Sequence, residues 1–292
     1  MKSKKKRVRE ITDYIKFVFP MLILYILFFI LPLFQTIGYS FTDYNGINPK
    51  KEFTGLTNYF DVFQDKWFYN SMAFTGKSVL LMILLANVLG FLLALALNTK
   101  IRSRNILRAI VFCPFVFNNV TVGFIWQFLL GRFMTDLYPL TGWKVFNIGW
   151  LSDNSLVLYS VVFVKLWQSI GYFMVIYLAG LQLLPQDPLE AALIDGCTGI
   201  KMIRYITIPL MKPTAFVCIF LAITESLNMF PLIMSLTNGG PGHASENISL
   251  YIYNEAFKSR RMGYASALAV ILTIIMTIIA GLQMKLTRED AG

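Results

Sequence analysis

Phe17-Val-Phe-Pro-Met-Leu-Ile-Leu-Tyr-Ile-Leu-Phe-Phe-Ile-Leu-Pro-Leu-Phe-Gln-Thr-Ile-Gly38 runs for 22 residues without a charge, directly after the basic stretch Met1-Lys-Ser-Lys-Lys-Lys-Arg-Val-Arg-Glu10. A signal-peptide core has about 7–15 apolar residues, whereas a helix needs about 20 to cross a bilayer. The length predicts a retained first membrane helix that starts from the cytoplasm. No small-residue cleavage site follows it.

Working outward, five more apolar runs reach spanning length: 78–97, 106–130, 156–178, 214–236 and 264–284. Composition agrees, with 56% hydrophobic and 14% charged residues and a mean hydropathy of +0.60. Soluble domains average about 25% charged residues. The expected fold is an all-α membrane protein of six transmembrane helices. Residues 1–16 read as a basic cytoplasmic N-terminus, 17–286 as one transmembrane domain and 287–292 as a cytoplasmic tail.

The formal charge of +10 could suggest nucleic acid as a partner, but its placement points to a membrane. With both termini inside, sixteen Lys and Arg fall on cytoplasmic segments and nine on outer ones, as the positive-inside rule requires. Lys165 lies within a span. The cluster Lys258-Ser-Arg-Arg261 is the exception, on the outer side. Membrane lipid is therefore the expected surface partner, and nucleic acid is not expected.

Between the fourth and fifth runs, residues 185–213 are too polar to span and too patterned for a loose loop. Pro188 suits a first helical turn with Asp187 as N-cap. Leu189, Ala192, Leu193 and Gly196 share one helical face, and a second short helix over roughly 199–207 is expected to end at Pro209. This pattern is a helix-turn-helix on the membrane surface, with Gly196 at its bend. Periodicity alone also allows a plain amphipathic connector.

The full string goes further. Glu190-Ala-Ala192, Asp195-Gly196 and Ile206-Thr-Ile-Pro-Leu210 resemble the EAA loop of binding-protein-dependent ABC permeases, although Cys197 replaces a usual Ala and Ile208 a usual Leu. Phe53-Thr-Gly-Leu-Thr-Asn-Tyr59, Leu166-Trp-Gln-Ser-Ile-Gly171, Ala179-Gly-Leu-Gln182, Thr237-Asn-Gly-Gly-Pro241 and Leu250-Tyr-Ile-Tyr-Asn-Glu-Ala-Phe257 extend the resemblance over nearly the whole chain. They narrow it to the first of two paired permeases in maltose-type carbohydrate systems.

The resemblance implies that Glu190, Ala191, Ala192, Asp195, Gly196 and Pro209 couple the chain to an ATPase. It also implies a second homologous permease, a homodimeric ATP-binding subunit and an extracellular solute-binding protein, in a bacterial cytoplasmic membrane. No cofactor is expected on this chain: ATP and Mg would be used by the partner, and no phosphate-loop motif occurs here.

Along the fourth run, Lys165, Gln168, Ser169 and Tyr172 recur at i, i+3, i+4 and i+7, a polar stripe on an apolar helix. The fifth run adds Glu225, Ser226 and Asn228, and the third adds Phe115, Asn118, Asn119 and Thr121 beside a kink-capable Pro114. Intramembrane Lys and Glu are costly, so Lys165 and Glu225 either pair with each other or face a solute pathway. The resemblance places solute contacts at or beside Lys165, Gln168, Ser169 and Tyr172, and on Ser226 and Asn228. Hydroxyls, amides and rings suit a sugar, and a lysine adds an acidic sugar as an option. An ion-coupled secondary transporter is the other reading of the intramembrane carboxylate. No metal-ligand cluster or catalytic pair is visible, and His243, the single histidine, sits in a Gly-Pro-Gly-His loop read as solvated.

Overall fold

The computed structural model describes residues 16, 18–48, 50–99 and 102–289, with side chains through 285. Most of the basic N-terminus, Phe17, Lys100, the side chain of Arg288 and residues 290–292 lie outside the described residues. Among the described residues the fold is helical, and the extended pairing it contains is an isolated antiparallel bridge between Thr42 and Phe53.

In chain order the helices are α1 (Val18–Tyr39), α2 (Thr57–Gln64), α3 (Lys66–Leu97), α4 (Arg104–Val116), α5 (Asn119–Thr141) and α6 (Val157–Gln182). They continue as α7 (Gln186–Ile194), α8 (Ile200–Leu210), α9 (Lys212–Leu227), α10 (Phe230–Leu236), α11 (Ile248–Tyr253) and α12 (Met262–Glu289). Four of them, α1, α3, α6 and α12 as far as Lys285, are long and apolar enough to cross a bilayer unaided. Two bent pairs, α4 with α5 at 93° and α8 with α9 at 71°, bring the number to six when each pair is one span.

The breaks correct three expectations. The third run does not continue as one helix from 106 to 130: Phe117 and Asn118 are extended, both with ψ 141°, and the helix restarts behind them. Pro114 is not the break, since it occupies the first turn of a 3-10 segment, where its missing N–H costs nothing. Asn118 Oδ1 accepts from Val120 N at 2.8 Å and caps the new helix. The run 214–236 divides at Asn228–Met229, and α10 restarts with Pro231 near its head. The second run gains twelve residues of polar and aromatic sequence at its front, because Asp65 caps α3 through Trp67 N at 2.8 Å.

In the surface segment, α7 begins at Gln186, so Asp187 sits within the first turn and Pro185 takes the N-cap position. Gly196 turns with φ +76° and Gly199 with φ +60°. Both lie in the left-handed region that a β-carbon disfavours. Pro209 does not end the second arm. A π-helical turn over Ile203–Thr207 re-registers the acceptors ahead of the proline, and α8 continues to Leu210.

The described residues of 1–64 and 252–275 form one compact unit, and those of 65–251 and 276–292 form another. In the first, Asn58 Nδ2 donates to the carbonyls of Ser40 and Thr42, both at 2.9 Å, and pins the loop after α1. The apolar window of α1 has no buried residue. A helix apolar all round and left uncovered by its own chain suits lipid or another subunit.

In the second unit α6 is the central helix, with 67% of its apolar window buried. It packs along α3, where Met82, Ala86, Gly90 and Ala94 repeat every four residues as one buried face. A β-carbon on Gly90 would come within 2.9 Å of Phe173 Cβ, and one on Gly171 would overlap the carbonyl of Val111. Gly123 likewise lets α5 touch α10 at Ser235. Small residues at crossings are how membrane helices gain van der Waals contact, because lipid offers no hydrophobic drive for them to associate. This packing fixes the middle of α6 beside both broken spans.

Candidate functional site

Chain breaks leave backbone groups without helical partners, and inside a bilayer such groups must find others. Here the partners come from α6. Gln168 Nε2 donates to the carbonyl of Phe117 at 2.9 Å, directly in the α4–α5 break. Lys165 Nζ lies 3.5 Å from Asn119 Oδ1 on the first turn of α5 and 2.5 Å from Glu225 Oε2 near the end of α9. One turn of α6 thus holds the ends of two interrupted helices.

A cavity of about 440 Å³ opens at this point. Four of the expected solute residues line it: Phe115, Lys165, Gln168 and Glu225. Asn118 and Asn119 join them, together with Phe117, Val120 and Pro231. The last three escape a reading based on polar side chains, because two contribute backbone or ring surface at a break and the third starts α10. A doubled asparagine ahead of the β-branched pair Val120-Thr121 is the signal that could have placed the break.

The remaining residues are placed differently. Ser169 Oγ donates to Lys165 O at 2.8 Å and Ser226 Oγ to Ala222 O at 2.7 Å, so both buried hydroxyls are bound to their own helices and neither lines the cavity. Tyr172 stands behind the lining, its ring parallel to Phe115 at 4.5 Å. Asn228 is exposed at the end of α9, outside the cavity.

The lining is balanced chemically. The side chain of Lys165 is 4% exposed and that of Glu225 is 28%, so the lysine is enclosed while the glutamate is partly open. Gln168 is 4% exposed, and its Oε1 accepts no hydrogen bond among the described residues. Amides, a carboxylate and aromatic faces together can donate to, accept from and stack on a polyhydroxylated ring.

At the surface segment, Ala192 is buried within the chain, whereas Glu190, Ala191, Asp195 and Gly196 are exposed. Ile194 and Ile200 are 87% and 82% exposed. Pro209 is also exposed. His243 is not simply solvated: its Nδ1 lies 2.5 Å from the buried Glu246 Oε2, and its ring packs on Trp67.

Comparison with known proteins covers most of the chain. Residues 86–288 match the family described as binding-protein-dependent transport system inner membrane component. The chain is 35% identical over 291 residues to the probable starch degradation products transport system permease protein AmyD of Thermoanaerobacterium thermosulfurigenes, covering 99% of this chain and 98% of the relative. It is 34% identical over 268 residues to the multiple sugar-binding transport system permease protein MsmF of Streptococcus mutans, covering 92% of each. The crystal structure of a bacterial ABC transporter involved in the import of the acidic polysaccharide alginate contains a chain of the same fold, with TM-score 0.82, 21% identity and 99% of both chains covered.

Proposed function

The chain belongs to the family of binding-protein-dependent transport system inner membrane components, and on that basis we propose that it is one permease subunit of an ATP-driven importer for a sugar or oligosaccharide. Two relatives are named for starch degradation products and for multiple sugars, which supports a saccharide. The observation that carries the reading is the cavity at the two broken spans, lined by Asn118, Asn119, Gln168 and Glu225 around the ring of Phe115. Such a lining matches hydroxyls and the apolar faces of a sugar ring at bilayer depth. Membership of this family leaves the ion-coupled transporter without support.

The mechanism follows from the division of parts. A solute-loaded binding protein docks outside, ATP with Mg closes a homodimeric ATPase inside, and the exposed face of α7 receives that motion. Glu190, Ala191, Asp195 and Gly196 form the contact, while buried Ala192 joins it to the rest of the chain. The 71° bend between α8 and α9 carries the displacement toward Glu225, and so to the cavity. A second homologous permease completes the pathway, and both termini face the cytoplasm. Rocking about such bends exposes the cavity to one side at a time.

Affinity purification of the chain in mild detergent, followed by ATPase assays with a panel of sugar-loaded binding proteins, tests this. The expected result is recovery of an ATPase and a second permease, with stimulation lost in Gly196→Asp. Recovery of the chain alone, with uptake following an ion gradient, would overturn it.

A further inference from the structure

The charge at the cavity bears on which saccharides can enter. Only two of the nine lining residues are charged, Lys165 and Glu225, and they are paired at 2.5 Å. The pair is asymmetric. Lys165 is enclosed, with its remaining contact to Asn119 Oδ1, whereas the Glu225 side chain keeps 28% of its surface. A solute entering the cavity therefore meets the carboxylate side of a neutralised pair, not a free ammonium.

We infer that Glu225 sets the solute specificity of this chain, accepting hydroxyl donors of an uncharged saccharide and rejecting saccharides that carry carboxylates. This rests on the importer reading and deepens it. A carboxylate with its charge balanced from behind is a strong acceptor for sugar hydroxyls. An acidic sugar would place a second anion beside it in a poorly hydrated site, and like-charge juxtaposition is a standard means of rejecting the wrong ligand. Lys165 acts here as a positioning residue: it holds the carboxylate in place and leaves no cation to attract an acid. The inference favours a neutral saccharide over the acidic-sugar option raised by an isolated intramembrane lysine.

The test is direct binding to the detergent-purified complex without binding protein, which removes the filter that a binding protein would impose. Neutral trisaccharides, maltotriose among them, are compared by calorimetry with tri-uronates such as trigalacturonate. The expected result is binding of a neutral trisaccharide about 100-fold tighter than of any tri-uronate, the scale of a like-charge penalty. In Glu225→Gln the bare ammonium of Lys165 should reverse or erase that preference, while Glu225→Asp should keep it. Partner recovery and elution volume report whether each variant folds, and the wild-type comparison decides the matter if Glu225→Gln does not. Wild-type binding of tri-uronates as tight as that of neutral sugars overturns the inference and leaves the importer standing. Binding of neither class overturns the saccharide reading itself.

Discussion

Gln168 donates its amide to the carbonyl of Phe117 at 2.9 Å, and that carbonyl is available because the chain is extended at Phe117 and Asn118. A side chain on one continuous helix thus satisfies the backbone of a broken one. In Gln168→Leu the carbonyl would be left unpaired at bilayer depth, a loss of about 1–2 kcal/mol. Reconstituted vesicles should show roughly 10-fold slower uptake, with a lower melting temperature in detergent. Gln168→Asn is too short to reach and should behave alike. Unchanged uptake in both variants would remove Gln168 from the site.

The Lys165–Glu225 pair makes a prediction about stability that is separate from specificity. Removing one partner strands the other charge, which costs about 3–5 kcal/mol for buried pairs, while replacing both with apolar residues is often neutral. Glu225 keeps partial exposure, so the lower end of that range is expected. Lys165→Met should therefore lower thermal stability markedly, and Lys165→Met with Glu225→Leu should recover most of it while abolishing uptake. Equal melting temperatures in single and double variants would mean that the pair contributes nothing.

Phe115 owes its place in the lining to Tyr172, whose ring lies 3° from parallel at 4.5 Å. Aromatic pairs add about 0.5–1.5 kcal/mol beyond their area. Tyr172→Phe keeps the stack and should bind solute normally, whereas Tyr172→Ala frees the Phe115 ring and should weaken solute binding by roughly 3–10-fold, read by calorimetry. A loss in Tyr172→Phe as large as in Tyr172→Ala would assign the effect to the hydroxyl instead.

Hydropathy made the spans legible because bilayer crossing is a demand on composition and length: α1, α6 and α12 lie close to their apolar runs, while α3 contains its run and starts ahead of it. The polar stripe of α6 was legible for the same reason, since Lys165 and Gln168 have few reasons to lie at that depth. The breaks were not. Only the doubled asparagine Asn118-Asn119 hints at the break in the apolar run through 106–130, because the bond that satisfies the Phe117 carbonyl is tertiary: it comes from Gln168 on another helix. Hydroxyl side chains read differently in sequence and in structure. Ser169 and Ser226 look like ligand groups in sequence, yet each can bond to the carbonyl four residues back and does. Family resemblance, and not periodicity, is what proposes a coupling role for the segment after α6.

Within that segment, exposure divides the motif into two classes of residue that should fail differently. Ala192 is 6% exposed, so Ala192→Leu overpacks the interior and should reduce the yield of folded protein, at a cost of about 1–3 kcal/mol. Ile194 is 87% exposed, so Ile194→Asp should leave the melting temperature unchanged and lose the ATPase during purification, because a charge replaces apolar contact area. Gly196 combines both effects in part. A β-carbon there meets no neighbour, but φ +76° strains any other residue by about 1 kcal/mol or more. Gly196→Ala should fold and retain the ATPase with reduced stimulation, while Gly196→Asn, which tolerates the left-handed region better, should restore part of it. Retention of the ATPase by Ile194→Asp at wild-type stoichiometry would remove the exposed end of α7 from the contact.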